Sequence, residues 1–263
     1  MLVVVLLGTG ALPAAGGAAT AATPTHIILH PANVQSTNWA GYAVTGSAHS
    51  VTRVEGSWVQ PKIQGACLLG ADQYSSFWVG IDGYSSSTVE QVGTDSDCQH
   101  GVPTYYAWYE FYPSPGFLIS AVAIHPGDTI FAQVKYMAPT AANGHKDFTV
   151  TLKDVTTGHS FSKTGKVSNP QRNSAEWIAE APSSYTGILP LSDFGTVQFG
   201  RDYTNVSSTN HATISGATGD ISSFAHIDAI TMISVAGTQT KASPSGVSSD
   251  GTSFQVKWVS SGP

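Results

Sequence analysis

The nine residues Thr104-Tyr105-Tyr106-Ala107-Trp108-Tyr109-Glu110-Phe111-Tyr112 decide the class of fold. Six of them are aromatic, and aromatic side chains favour a pleated, half-buried surface. Side chains of a strand alternate between its faces. Tyr106, Trp108, Glu110 and Tyr112 therefore share one side, and Tyr105, Ala107, Tyr109 and Phe111 the other. Both sides are apolar or aromatic, so neither is a plain solvent face. Two readings stay open at this point: a Glu among stacked aromatics on the concave side of a sheet, lining a substrate cleft, or a core strand with Glu110 at its exposed end.

Working outward, the same kind of segment recurs along the chain, bounded by Gly, Pro, Asn or Asp. Strands are expected at Val51–Val59, Ser75–Ile81, Thr88–Gly93, Thr129–Met137, Phe148–Asp154, His159–Lys163, Ala175–Ala179, Thr196–Phe199, Ile227–Ser234 and Ser253–Val259. Thr157-Gly158 and Pro126-Gly127-Asp128 read as turns between them. No window carries a helical period. Many short strands with turn signals between them predict an all-β chain, a β-sandwich of two large antiparallel sheets. In Ala175–Glu180, the residues Glu176, Ile178 and Glu180 share one side and Ala175, Trp177 and Ala179 the other. On pattern alone this is an exposed edge strand with solvated charges.

Composition narrows the function classes. Of 263 residues only 11 % are charged, with 11 Lys plus Arg against 17 Asp plus Glu; about 25 % charged is ordinary. So few cations make no basic patch, and nucleic acid is not an expected partner. A content of 41 % apolar residues is enough to build a core. The N-terminus opens on the apolar run Leu2–Leu7 and continues in small residues to Thr23. Residues 1–22 are expected to be a secretory signal peptide, although the positive leader is missing, and residues 23–36 a short pro or linker segment. Gly8, Gly10, Pro13, Gly16 and Gly17 interrupt the stretch, which argues against a membrane anchor. Residues 37–263 read as one domain, secreted and monomeric, with no membrane association after signal removal. Cys67 and Cys98 are the only cysteines, and in a secreted chain they are expected to form one disulfide; two buried thiols are the alternative.

Several chemistries lack their motifs. There is no His-Glu-x-x-His, and the histidines show no paired ligand spacing in the folded region, His26 and His30 lying in the expected linker. There is no Gly-x-Ser-x-Gly elbow, no Asp-Thr-Gly or Asp-Ser-Gly, and no Gly-rich phosphate loop opening a helix. No metal and no cofactor are expected. Carboxylate chemistry on a β-sandwich remains.

Five strings then matter together: Asn38-Trp39-Ala40-Gly41, Phe77-Trp78-Val79-Gly80-Ile81-Asp82-Gly83, Thr88-Val89-Glu90-Gln91-Val92-Gly93, Ala107-Trp108-Tyr109-Glu110-Phe111-Tyr112-Pro113 and Ala175-Glu176-Trp177-Ile178-Ala179-Glu180. In this order and spacing they resemble the glutamic peptidase family, the eqolisins, from about Asn38 to Val259. The resemblance implies a lectin-like or glucanase-like sandwich and an acid-active endopeptidase insensitive to pepstatin-type inhibitors. It also implies a catalytic pair at Gln91 and Glu180, with Trp39, Trp78, Asp82, Trp108 and Glu110 lining or supporting the cleft. The chain departs from the fungal pattern in having Tyr106 where those enzymes carry Asp and in having only two cysteines; with the expected signal cleavage, control by a long propeptide is not expected.

Such a pair suits amide hydrolysis. A carboxylate can deprotonate water during attack and return the proton to the leaving nitrogen. An amide does not titrate and donates to the carbonyl oxygen at any pH. Protein or peptide is the expected substrate. Two rivals share the same scaffold: a glycoside hydrolase using Glu110 and Glu180, and a carbohydrate-binding module without catalysis.

Overall fold

The computed structural model describes residues 33–138 and 147–262. The expected signal peptide, and the linker up to residue 32 with His26 and His30, lie outside the described residues. In chain order the strands are β1 (Asn33–Ser36), β2 (Trp39–Thr45), β3 (Val51–Val59), β4 (Ser76–Ile81), β5 (Val89–Gln99), β6 (Val102–Tyr112), β7 (Phe117–Ile119), β8 (Thr129–Met137), β9 (Asp147–Asp154) and β10 (Ser160–Lys166). There follow β11 (Ser174–Glu180), β12 (Ser183–Ser184), β13 (Gly187–Ile188), β14 (Thr196–Phe199), β15 (His211–Ile214), β16 (Ala217–Asp220), β17 (Ile227–Ile233), β18 (Thr240–Pro244) and β19 (Phe254–Trp258). One short helix, α1 (Arg201–Thr204), precedes β15. Residues 33–36, read as the end of the linker, are strand β1.

The ladder is continuous and folds over on itself. One layer runs β7-β6-β5-β4-β11-β2-β17, with β1 parallel to β17. β17 pairs with β2 through Ile227–Ile230 and then with β18 through Met232 and Ile233. That switch carries the ladder into the second layer, β18-β19-β14-β3-β8-β9-β10. Every pairing but β1–β17 is antiparallel among the strands of these layers. The sandwich expected from the sequence is therefore present.

The layers meet over one apolar core that includes Trp58, Phe77, Val79, Ile81, Trp177, Phe148, Phe199 and Phe254, each nearly inaccessible to solvent. Each such side chain contributes about 1.5–3 kcal/mol on burial. A buried indole also needs an acceptor for its N–H. Trp177 Nε1 donates to the Glu55 carbonyl at 2.9 Å and Trp58 Nε1 to Thr94 Oγ1 at 2.9 Å, each bond joining one layer to the other. Cys67 and Cys98 are disulfide-bonded, tying the loop after β3 to the end of β5.

The expected Val51–Val59, Thr129–Met137 and Thr196–Phe199 strands match their observed bounds. The edge-strand reading of Ala175–Glu180 is overturned. β11 is paired on both sides, with β2 and β4, and all its residues are buried. Glu110 is likewise 1 % exposed, so it is no solvated strand end.

Candidate active site

Register places the polar residues of the first layer in rows across its free face. Glu176, Gly80, Gln91 and Glu110 are successive partners on β11, β4, β5 and β6. The next row is Ile178, Trp78, Gly93 and Trp108, and the next Glu180, Ser76, Asp95 and Tyr106. Trp39 on β2 stands opposite Glu180. These rows hold the side of β6 that carries Glu110, and the side of β11 that carries both glutamates. Trp39, Trp78, Trp108 and Ile178 form a second apolar cluster there, separate from the core, with Tyr84, Tyr106 and Tyr112 packed against it. Of the two readings of the aromatic strand, the cleft-lining one agrees with this placement.

Two glycines let Trp78 lie flat on the sheet. A Cβ on Gly93 would meet the Trp78 Cβ at 2.6 Å, and one on Gly80 would meet the Trp78 ring at 2.8 Å. The Trp39 ring, which starts opposite Glu180, reaches the far end of β4, where a Cβ on Gly83 would approach it to 3.0 Å. The Trp39 and Trp78 rings meet edge to face, 4.9 Å between centroids.

Glu180, 9 % exposed, sits toward one end of this face. Trp78 Nε1 donates to its Oε2 at 2.7 Å, and Asn38 Nδ2 to its Oε1 at 3.1 Å. Ser36 fixes the approach: its hydroxyl donates to Asn38 Oδ1 at 3.1 Å and accepts the Trp39 backbone N–H at 3.1 Å. Burial raises the Glu180 pKa; the Trp78 hydrogen bond opposes the rise, and the Glu110 carboxylate adds to it. Gln91, 3 % exposed, donates from Nε2 to Glu110 Oε2 at 2.7 Å, while its Oε1 has no hydrogen-bond partner. Burial also raises the Glu110 pKa, against the Gln91 hydrogen bond. Glu110 thus holds the Gln91 amide in one orientation while its charge is felt by Glu180.

The sequence-predicted residues divide accordingly. Gln91, Glu110, Trp78, Trp108, Trp39 and Glu180 are brought onto one face. Asp82 is not: it is fully buried at the end of β4, at φ 69°, and accepts the backbone N–H groups of Arg172 at 2.7 Å and Asn173 at 3.1 Å. It ties the turn after β4 to the chain entering β11. Trp108 donates from Nε1 to Asp95 Oδ1 at 2.5 Å. Sequence reasoning assigned no role to Asn38, Asp95, Asp97 or Glu176. Asn38 stood within a quoted string, next to Trp39, and Asp95 and Asp97 follow Gln91 at strand spacing; those were the available signals. Asp97 accepts from Tyr106 Oη at 2.8 Å, Gln99 Nε2 at 2.8 Å and the Ser75 N–H at 3.0 Å. Burial pushes Asp97 up to about 7 and holds Asp95 well above the ordinary carboxylate range.

Among the described residues no cluster of three or more His, Cys, Asp or Glu has the arrangement of a metal site, and no helix is long and apolar enough to cross a membrane. The chemistry on this face is that of a carboxyl group and a carboxamide, each oriented by hydrogen bonds in a site largely closed to water.

Comparison with known proteins identifies the family of the chain. The chain is 31 % identical over 195 residues to aspergillopepsin-2 of Aspergillus niger, covering 66 % of this chain and 65 % of that protein. It is 33 % identical over 155 residues to scytalidopepsin B of Scytalidium lignicola, covering 57 % and 53 %. The chain thus spans less than two thirds of the length of these curated relatives. Among solved structures it superposes on scytalido-glutamic peptidase bound to a transition state analog inhibitor with a TM-score of 0.67, at 25 % identity, over 85 % of this chain and 98 % of that one. Aspergilloglutamic peptidase from Aspergillus niger follows with a TM-score of 0.54, at 29 % identity, over 71 % and 99 %. The Peptidase A4 family model matches residues 37–254, nearly the whole described fold, and the chain belongs to the Peptidase A4 family.

Proposed function

We propose that this protein is a secreted, acid-active glutamic endopeptidase that hydrolyses peptide bonds with Gln91 and Glu180. The observation that carries the reading is the pairing of a buried, indole-bonded Glu180 with an amide, Gln91, held by Glu110 on the same face of the sheet. The scytalido-glutamic relatives were solved with a peptide-based transition state analog and with the tripeptide Ala-Ile-His, which supports a peptide as occupant of the corresponding face here.

In this reading an ionised Glu180 takes a proton from water as the water oxygen attacks the carbonyl carbon. Gln91 gives one Nε2 hydrogen to Glu110 and directs the other at the carbonyl oxygen, which becomes anionic in the transition state. Losing one such donor costs about 10²–10³ in rate in other enzymes. Glu180, now protonated, returns the proton to the nitrogen; the C–N bond breaks, and a carboxylic acid and an amine leave. A carboxyl whose pKa is raised by burial is both a stronger base when ionised and available as an acid in mildly acidic solution. Trp78 and Asn38 keep its oxygens aimed through both steps.

The test is digestion of a denatured protein from acid to neutral pH, with pepstatin present, by the wild type beside Glu180→Gln. Pepstatin-resistant cleavage at acid pH that disappears in the variant is expected. Cleavage of polysaccharides without proteolysis by the folded, N-terminally processed protein would overturn the reading.

A further inference from the structure

We propose that the outer face of β8, β9 and β10, on the far side of the molecule from the cleft, is a docking surface for an anionic polysaccharide. So few cations predict no basic patch, yet their placement makes one. Residues 129–166 carry five Lys and two Asp, a net charge of +3, so the rest of the chain carries −9 to reach the overall −6. Lys135, Lys153, Lys163 and Lys166 are all exposed, and among the described residues none of the four enters an ion pair. Of the two acids, Asp154 is buried at the turn between β9 and β10 and accepts from Thr156 and Thr157, while Asp147 stands opposite Lys166 at the other end of β9.

Register sets the pattern. Lys135, Thr149 and Thr164 are successive partners on β8, β9 and β10; the next row is Gln133, Thr151 and Ser162, and the next Phe131, Lys153 and Ser160. Val134, Val150 and Leu152, which alternate with them, lie in the core, so these rows face outward. Arg53 on β3 continues the first row beside Lys135 and is paired with Glu55. The Thr149 and Thr164 hydroxyl oxygens are 2.9 Å apart, and those of Thr151 and Ser162 3.2 Å. Each such pair shares one of its two protons and keeps the other for an outside acceptor.

An anionic polysaccharide matches both parts of this surface: its acid groups meet the ammonium groups, and its hydroxyls meet the Thr and Ser pairs. Lys166 lies six residues along β10 from Ser160, the partner of Lys153. At about 3.4 Å per residue the cations therefore spread over roughly 20 Å, which suits charges repeated along a polymer rather than one small anion. A bilayer surface would need an apolar stripe, whereas Phe131 and Met137, the large apolar side chains that face outward here, stand six residues apart near opposite ends of β8. A single-stranded nucleic acid would find no exposed aromatic ring on this face to stack on. The core lies between this face and the one that carries Gln91 and Glu180, so a docked polymer leaves the cleft open.

The test measures the affinity of the folded protein for polygalacturonate at pH 6, just above the isoelectric point of about 5.8, where the chain as a whole has no net attraction for a polyanion. Binding that neutral dextran does not reproduce and that added salt weakens is expected. Lys135→Gln, Lys153→Gln and Lys166→Gln combined should weaken it about tenfold, a modest loss for each exposed charge. Lys62→Glu, which lowers the net charge by two units outside these strands, should leave it within about twofold. The triple variant should keep the wild-type thermal midpoint, so that lost binding reads the surface and not the fold. Three results overturn the proposal: no binding above the neutral dextran control, binding unchanged in the triple variant, or tighter binding to DNA or to anionic lipid vesicles than to polygalacturonate.

Discussion

The strands of the first layer build two faces of opposite character. Toward the second layer, β11 presents Ala175, Trp177 and Ala179, β4 presents Phe77, Val79 and Ile81, and β6 presents Ala107 and Phe111, all in one packed core. Toward the cleft the same strands present Glu176, Glu180, Trp78, Trp108, Glu110, Gln91 and Asp95. The first face is held by area removed from water. The second buries carboxyl groups, which costs free energy unless they stay protonated or find donors. Stability and chemistry are thus divided between the two sides of a strand, two residues of period apart. Glu90 is the exception: it lies on the packed side, opposite Ile81 and Phe111, with neither oxygen hydrogen-bonded.

The sharpest break between the faces is expected in activity. Glu180→Gln removes the proposed general acid–base and should lower kcat/KM by about 10²–10⁴; Gln91→Ala should lower it by about 10²–10³. Both variants should still fold: Glu180→Gln turns an NH2 toward the N–H of Trp78 or Asn38, and Gln91→Ala takes one donor from buried Glu110, each a loss of about 1–3 kcal/mol. A loss of activity that only tracks the unfolded fraction would show that these groups hold the fold together and do no chemistry.

The second expected difference is in pH dependence. Glu90, Glu176 and Asp95 are held well above the usual carboxylate range by burial, and Asp97 at about 7. Their folded forms keep a proton that the unfolded chain releases near pH 4. The unfolded state therefore binds fewer protons above about pH 4, and stability falls as pH rises from there. For Asp97 the loss is complete above about pH 7; for the other three it continues higher. Each contributes a slope of about 1.4 kcal/mol per pH unit within its window. Urea midpoints measured from acid to neutral pH should decline; a midpoint that rises toward neutrality would show these groups ionised in the folded protein.

How much of this was legible in the sequence depended on what shaped each segment. β3, β8 and β14 were legible because alternation or a sharp turn signal bounded them. β2 was not among the expected strands: Trp39-Ala40-Gly41-Tyr42-Ala43-Val44-Thr45 is buried on both faces, so no polar period marks it. The second half of β5, Thr94-Asp95-Ser96-Asp97-Cys98-Gln99, fell outside the expected Thr88–Gly93 strand, because Asp and Ser are depleted in strands. It is a strand because Trp108 and Tyr106 on the neighbouring β6, and the Ser75 backbone before β4, supply donors to its acids. The proposed catalytic pair came from the resemblance alone. Whether Glu180 lies on an edge or in the middle of a sheet depends on what pairs with β11, which the six residues around it do not encode.

On the packed face, Trp177→Phe should cost about 2 kcal/mol: it removes part of a core side chain and leaves the Glu55 carbonyl without the indole N–H. Chemical denaturation measures the loss, and the activity per folded molecule should be unchanged at acid pH. A fall in kcat with an unchanged KM would mean that the packed side of β11 sets the position of Glu180 on the other side.

The smallest expected effect tests the protonation of the cleft floor most directly. Asp95 accepts the Trp108 indole N–H with Oδ1, while its Oδ2 has no partner at hydrogen-bonding distance and angle. If Asp95 carries a proton throughout the acid range, Asn is its near copy: one oxygen still accepts from Trp108, and an N–H replaces the O–H. Asp95→Asn should then change stability at acid pH by less than about 0.5 kcal/mol, the scatter of innocuous substitutions. Toward neutral pH the variant should overtake the wild type, because the amide has no proton to lose and one contribution to the declining slope is gone. The crossing of the two stability curves is the measurement that matters. A variant less stable than the wild type at every pH would show that Asp95 is ionised in the folded protein, with Trp108 bonded to a carboxylate. The cleft face would then hold its charge by hydrogen bonding rather than by giving it up.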